Sequence, residues 1–439
     1  MPAEPAWVHH AIWWQVYPLG FVGAHPGTAA TPGEHRLRRI VAWLDHAVEL
    51  GASGIALGPI FASSSHGYDT VDHFRIDPRL GDDADFDLLV AEAHGRGLRV
   101  QLDGVFNHVG REHPRAQAAI AAGPGSPGAS WLATEHGPEG LRFATFEGHD
   151  ALLALNQADP GVEDLVVRVM VHWLDRGADA WRLDAAYAVP PEFWARVLPR
   201  VRARHPDAWY VAEVIHGDYQ AFVEHAGVDS VTQYELWKAI WSSINDRNFF
   251  ELDWALSRHG RMLESFVPAT FVGNHDVTRI ATRITDPRHL AHALVLLATL
   301  GGTPTIYAGD EYGMHGVKED RSGGDDAIRT EFAATGPAGA PDGGGDAAIY
   351  RLHQRLIGLR RRHAWLHLAT TAPVELRNEQ YVYEAVGDGH RLLVALNLGD
   401  HPFAPAGTDG QPLAADDDTS SYGNGSVAPH GWAIWNGGA

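Results

Sequence analysis

The chain has 439 residues, enough for a barrel of ~250 residues together with further modules. Its 45% hydrophobic and 20% charged composition is that of a globular protein with a large core, and a formal charge of −21 repels phosphate backbones, which argues against nucleic acid and anionic membrane as partners. There is no Cys, so disulfides, thiolate metal sites and thiol catalysis are excluded.

The N-terminal stretch MPAEPAWVHHAIWW has no basic segment followed by an apolar core. No signal peptide is expected, and a cytoplasmic location follows as the default. Short apolar runs then alternate with amphipathic stretches. The runs are Ile12–Tyr17, Gly54–Gly58, Leu98–Leu102, Ala180–Leu183, Trp209–Val211, Val228–Thr232, Thr270–Val272 and Pro304–Tyr307. Runs this short and this apolar suit strands covered on both faces, and eight of them suit a closed parallel barrel.

Between the runs lie helical patterns. Leu37, Ile40, Val41, Leu44 and Val48 repeat at helical spacing with Gly51 as a stop. Phe86, Leu89, Val90 and Ala93 form a second pattern, closed by Gly95 and Gly97. Val162, Leu165, Val166, Val169, Trp173 and Leu174 form a third, opened by the cap and first-turn pair Asp159-Pro160. Leu290 to Ala308, interrupted by Gly301, Gly302 and Pro304, reads as a buried helix turning into a strand. The expected fold is α/β, a (β/α)₈ barrel over residues 1–370.

Two connections are long. Residues 108–157 are rich in Gly, Pro and Ala and are expected to form a small module inserted after the third strand. Met314–Asp346, full of Gly and Asp, reads as a mobile loop after the eighth; its Gly343–Gly345 run lacks a following phosphate-binding helix. From residue 371 to 439 strand-like runs such as VYEAV and RLLVALNL predict a C-terminal β-sandwich.

Several strand runs end in polar clusters. Leu98–Leu102 leads into Asp103, Asn107 and His108; Ala180–Leu183 carries Arg182 and leads into Asp184; the run ending at Ala212 leads into Glu213; Val272 leads into Asn274, His275 and Asp276. Barrel strands converge at their C-terminal ends, so these segments should meet at one mouth. Crowded carboxylates raise each other's pKa, which suits glycoside cleavage, where one carboxyl stays protonated and another ionised. Arg182, two residues before Asp184 on the same strand face, is placed to keep that Asp ionised.

These segments resemble the signature regions of the α-amylase family, glycoside hydrolase family 13. DGVFNH is similar to its first region, WRLDAA to its second, VAEV to its third and FVGNHD to its fourth, and the likeness extends to HGYD at His66–Asp69 and GTPTIYAGDE at Gly302–Glu311. The resemblance implies Asp184 as nucleophile, Glu213 as general acid/base and Asp276 as third carboxylate. It places Arg182, His108 and His275 around the cleaved sugar, Tyr68 stacked beneath it and Asp103 in support. Tyr187, Ile215, His216 and Arg279 are further candidate substrate contacts, with Val277 beside them.

Departures narrow the resemblance. Where many α-amylases carry Lys and His after the nucleophile, Tyr187 and Ala188 stand here. Asn107, a frequent calcium ligand in the family, has no recognisable partners, and calcium takes six to eight oxygens, so no metal or other cofactor is expected. Leu153–Asn156 resembles the fifth region, with Ala154 where a polar residue is usual. Val214-Ile215-His216 is similar to cyclomaltodextrinases and neopullulanases, whose dimerising N-terminal domain the sequence is expected to lack. The partner implied is a neutral α-glucan oligosaccharide, short or cyclic, and a homodimer remains open. Two other readings share the scaffold: a transglycosylase or isomerase of α-glucanotransferase or trehalose-synthase type, and a non-catalytic carbohydrate-binding barrel.

Overall fold

The computed structural model describes residues 4–437 apart from 31–32, 139, 322, 337–344, 407, 409 and 423–424. Gly343 and Gly344 of the glycine-rich run thus lie outside the described residues. Eight parallel strands follow the expected apolar runs: β1 (Trp13–Val16), β2 (Gly54–Leu57), β3 (Arg99–Gly104), β4 (Ala180–Leu183), β5 (Trp209–Ala212), β6 (Ser230–Val231), β7 (Ala269–Phe271) and β8 (Thr303–Tyr307). Their order in the sheet is β6-β5-β4-β3-β2-β1-β8-β7. A parallel bridge from Thr232 to Ala269, with the Gln233 amide donating to the Ala269 carbonyl at 2.9 Å, joins β6 to β7 and closes the barrel.

Both faces of these strands are covered. Trp13, Ala56, Ala180, Trp209, Val211 and Ala269 fill the interior as one cluster, while Trp14, Ile55, Val100, Leu102, Trp181, Leu183 and Tyr210 face the surrounding helices. The two clusters alternate along each strand, as a pleat requires. Helix α1 (Asp83–Gly95) starts at a reciprocal cap in which Asp82 accepts from Asp85 N and Asp85 accepts from Asp82 N. Helix α2 (Pro160–Asp175) is capped by Asp159, which accepts from Gly161 N, and buries the whole stripe from Val162 to Leu174 named above. The single helix expected over Leu37–Val48 is instead two pieces, Arg38–Val41 and Leu44–Leu50. Trp43 separates them, its ring buried and its indole N–H donating to the Ala333 carbonyl, and Val48 turns out 43% exposed.

The insertion after β3 is a small module of its own. Strand His108–Gly110 leaves the barrel mouth and Leu152–Ala154 returns antiparallel to it, so that His108 pairs with Ala154. Helix Pro114–Ala122 and a hairpin of Thr134–Gly137 with Gly140–Phe143 lie between. At the C-terminus, β9 (Thr370–Leu376), β10 (Gln380–Gly387), β11 (His390–Asn397), β12 (Ala414–Ala415) and β13 (Trp432–Asn436) form one antiparallel sheet in the order β9-β10-β11-β13-β12. Its inner face, with Tyr381, Tyr383, Val394 and Trp432, joins the main core; its outer face, with Val382, Leu393 and Trp435, is covered by Phe403 and Val427. No helix among the described residues is long and apolar enough to cross a membrane.

Candidate active site

Parallel register explains how the strand-end residues meet. Arg182 lies opposite Asp103, and Leu183 opposite both Gly104 and Ala212, so Asp184 and Glu213 are the next residues out on neighbouring strands. The Glu213 amide donates to the Leu183 carbonyl at 2.9 Å and the Asp184 amide to Gly104 at 3.0 Å, which holds both carboxylates at the rim. Arg182 then ties the cluster together. Its Nη1 donates to both Asp103 oxygens at 2.7–2.8 Å and to Asp184 Oδ1 at 2.9 Å, and its Nη2 reaches Glu213 Oε1 at 2.7 Å. Ala185 takes the left-handed φ of 46° and its amide donates to Glu213 Oε2 at 2.9 Å, so the turn after Asp184 fixes the neighbouring carboxylate.

The second half of the cluster comes from beyond β7. His275 contacts Asp276 Oδ2 through Nε2 at 3.0 Å, and its Nδ1 faces the Gln15 side chain at 3.3 Å. The Tyr68 hydroxyl meets His275 Nε2 closely and donates to Asp103 Oδ2 at 3.0 Å. The rings of Tyr17 and Tyr68 stack on His275 at 5.8 and 5.7 Å. Tyr234 donates to Glu213 Oε1 at 3.1 Å and accepts from Asn274 Nδ2 at 2.9 Å.

Charge in this cluster is uneven. Burial, reinforced by repulsion from Glu213, Asp103 and Asp276, outweighs Arg182 and pushes Asp184 well above the usual carboxylate range. Burial raises Asp103 in the same way against Arg182. Burial would also raise Asp276, but His275, Arg329 and Arg182 overcome it and hold that carboxyl well below its ordinary value. Burial lowers His108 to about 4, so its ring is neutral near pH 7; it contacts the Tyr68 carbonyl through Nε2 at 3.0 Å.

A cleft of roughly 750 Å³ opens above these groups. Asp184, Glu213 and Asp276 line it together with His108, Phe146 and Glu147 of the inserted module and Asp325 and Arg329 of the loop after β8; Tyr68, Tyr187, Ile215 and Val277 also line it. Asp103, Arg182 and His275 sit directly beneath. His216 is exposed beyond the lining residues, its ring 6.0 Å from Tyr187.

Arg279 requires a correction. It is 0% exposed and does not face the cleft: its guanidinium donates to Asp310 at 2.8 Å and to the carbonyls of Ala308 and Ile328, and lies over the Tyr307 ring. Arg329, absent from the sequence expectations, does line the cleft, as does Arg321. Arg329 donates to Asp276 Oδ1 at 2.8 Å and to the His275 carbonyl at 3.1 Å, pairs with Asp325 at 2.9 Å and stacks on Tyr17 at 4.5 Å. Glu147 and Tyr234 were also missed. Only the Asp-x-x-x-Arg spacing of Asp325 and Arg329 carries a local signal, and it reads equally as a surface pair. Asn156 serves the module's hinge instead of the cleft, donating to the Ser130 carbonyl at 2.7 Å and accepting from Ala158 N.

Groups of side chains that could hold a metal lie elsewhere. Among the described residues they are Glu4 with His9 and His367, Asp286 with His289 and His430, and His35 with Asp82 and Asp85. All three groups are engaged within the protein: Glu4 pairs with His9 and His367, Asp82 and Asp85 cap α1, both Asp286 oxygens accept from Arg288, and His289 and His430 pair at 3.0 Å. Near the cleft, Asn107 presents Nδ2 to His108 Nδ1 at 3.2 Å, while its backbone carbonyl accepts from Leu155 N at 3.0 Å.

The likeness to known proteins covers the same ground. Residues 15–148 and 142–348 match the family described as alpha-amylase, catalytic domain. A cyclomaltodextrinase from Bacillus sp. is 31% identical over 425 residues, 90% of this chain and 73% of that protein. An intracellular maltogenic amylase of Bacillus subtilis is 30% identical over 341 residues, 72% of this chain and 57% of that protein. The ligand-free cyclic α-maltosyl-(1→6)-maltose hydrolase of Arthrobacter globiformis shares the fold, with a TM-score of 0.80 at 24% identity across 98% of this chain and 99% of that one. Barrel, rim chemistry and sequence likeness converge: the chain belongs to the alpha-amylase family of glycoside hydrolases.

Proposed function

We propose that the protein hydrolyses α-1,4-glucosidic bonds in short linear or cyclic α-glucans with retention of configuration. Asp184 is the nucleophile, Glu213 the general acid/base and Asp276 the carboxylate that stabilises the distorted sugar. The observation that carries the reading is the Arg182 guanidinium held between Asp184 and Glu213 on adjacent strands, at 2.9 and 2.7 Å, under an open cleft.

Burial and mutual repulsion raise Asp103 and Asp184, while His275 and Arg329 keep Asp276 ionised. With substrate in place, Glu213 as general acid gives its proton to the glycosidic oxygen as the bond to the anomeric carbon breaks, and Asp184, ionised against Arg182, forms the new bond to that carbon. Water then attacks the glycosyl-enzyme, Glu213 takes its proton, and Asp184 leaves. Tyr68, on its stack with His275, offers a flat face to the sugar.

Support for an oligosaccharide comes from the cleft, whose ~750 Å³ is in the range of small-ligand sites. The names of the relatives point the same way. We take the location to be cytoplasmic, as the relative named intracellular suggests. Time-resolved proton NMR on maltotetraose, cyclodextrins and cyclic maltosyl-maltose tests the reading. New reducing ends appearing first as the α-anomer are expected. β-Anomers appearing first would reject retention, and new linkages without net reducing ends would reject hydrolysis.

A further inference from the structure

Glu147 sits at the tip of the inserted module with φ 49° and ψ 30°. That left-handed backbone disfavours any side chain but glycine's, so a glutamate persists there only where its surroundings hold it. Two contacts do so. Phe146 beside it stacks on His108 at 4.6 Å and 16°, fastening the tip to the base of the module. The Tyr187 hydroxyl donates to Glu147 Oε1 at 2.6 Å, and the neighbouring carboxylate reinforces burial in holding the Tyr187 proton on. The second oxygen, Oε2, has no protein partner among the described residues, and Glu147 lines the cleft. The barrel thus reaches out through Tyr187 to present a carboxylate with free acceptor capacity.

The side of the cleft follows from Glu213. The Tyr187 amide donates to the Glu213 carbonyl at 3.1 Å, and Ile215, 40% exposed, lines the cleft two residues after Glu213. A general acid protonates the leaving oxygen, so the leaving sugar lies on the Glu213 side of the cleft, next to Tyr187 and Ile215. We propose that Glu147 is a specificity-determining residue that accepts hydrogen bonds from hydroxyls of the leaving-group sugar, with Tyr187 as its positioning residue. The assignment rests on the reading of Glu213 as acid. A carboxylate accepting from a hydroxyl is among the stronger hydrogen bonds, and its loss is felt only by leaving groups that carry hydroxyls.

The test compares maltotriose with 4-nitrophenyl α-maltoside, whose aryl leaving group has no hydroxyl to offer. In Glu147→Ala the ratio of kcat/KM for maltotriose to kcat/KM for the aryl maltoside should fall about 10- to 100-fold. Glu147→Gln, which keeps the shape and one acceptor, should lie between that variant and wild type, and Tyr187→Phe should shift the ratio the same way by a smaller factor. An unchanged ratio, whether both rates fall together or neither moves, overturns the assignment of Glu147. A wild-type protein inert toward both substrates would overturn the glycosidase reading itself, and this assignment with it.

Discussion

A single guanidinium organises the site. Arg182 carries one positive charge among four carboxylates: its hydrogen bonds hold Asp103 and Asp184, it pairs with Glu213 at 2.7 Å, and Asp276 lies 3.9 Å away. Removing the charge of the proposed nucleophile should therefore abolish chemistry without unfolding the barrel. Asp184→Asn is expected to lower kcat by several orders of magnitude with an unaltered circular dichroism spectrum, and near-normal turnover would reject the assignment. Arg329 acts on the third carboxylate. Arg329→Met removes one of the charges that depress Asp276, so the Asp276 pKa rises toward the ordinary carboxylate range. The acid limb of the kcat/KM profile should move to higher pH, and an unmoved limb would show that Asp276 is held ionised without Arg329. The contrast with Arg279 is instructive: three residues after Asp276 it looks like a substrate contact, yet its side chain turns down to Asp310.

At the level of elements, the site depends on how closely the inserted module approaches the loop that bears Tyr68. Gly110 ends the module's first strand, and a Cβ there would stand 2.4 Å from the Asp69 carbonyl oxygen, a backbone atom that cannot swing aside. Gly110→Ala must displace either Tyr68 or His108, both of which line the cleft. Steady-state kinetics should show kcat/KM reduced about 10- to 100-fold, the scale of a misplacement near 1 Å. Full activity would mean that the two loops are free to separate. Asp159 links the same module to α2, since one carboxylate oxygen caps the helix at Gly161 N and the other accepts from Ser130 Oγ at 2.7 Å.

For the whole molecule, buried neutral histidines set the acid limit. Burial lowers His108, His113, His259, His289 and His292 to about 4, against an ordinary value near 6.5. Between these values the unfolded chain binds protons that the folded chain does not, so stability is complete above pH ~6.5 and is lost as pH falls toward ~4. Thermal unfolding followed from pH 7.5 to 4.5 should show Tm flat at first and then falling steeply. A Tm that holds constant to pH 4.5 would contradict the burial of these rings. Chelator treatment is expected to leave activity unchanged, because the His and carboxylate groups that could hold a metal among the described residues are not among those lining the cleft; loss restored by calcium would reject that expectation.

The barrel was readable from the chain alone because each strand is a short apolar run covered on both faces, which leaves little else for it to be. Each of the eight runs overlaps the strand it predicted, and the residues that follow them carry the carboxylates, since a strand's polar end must emerge at the mouth. What the chain could not decide is the direction of side chains in turns and the return of distant loops. Arg279 points away from the cleft, Arg329 comes in from a loop, and Glu147 arrives from the inserted module because Tyr187 holds it there. Those placements are set by hydrogen bonds and stacking between segments far apart in sequence, and such contacts leave no periodicity to read.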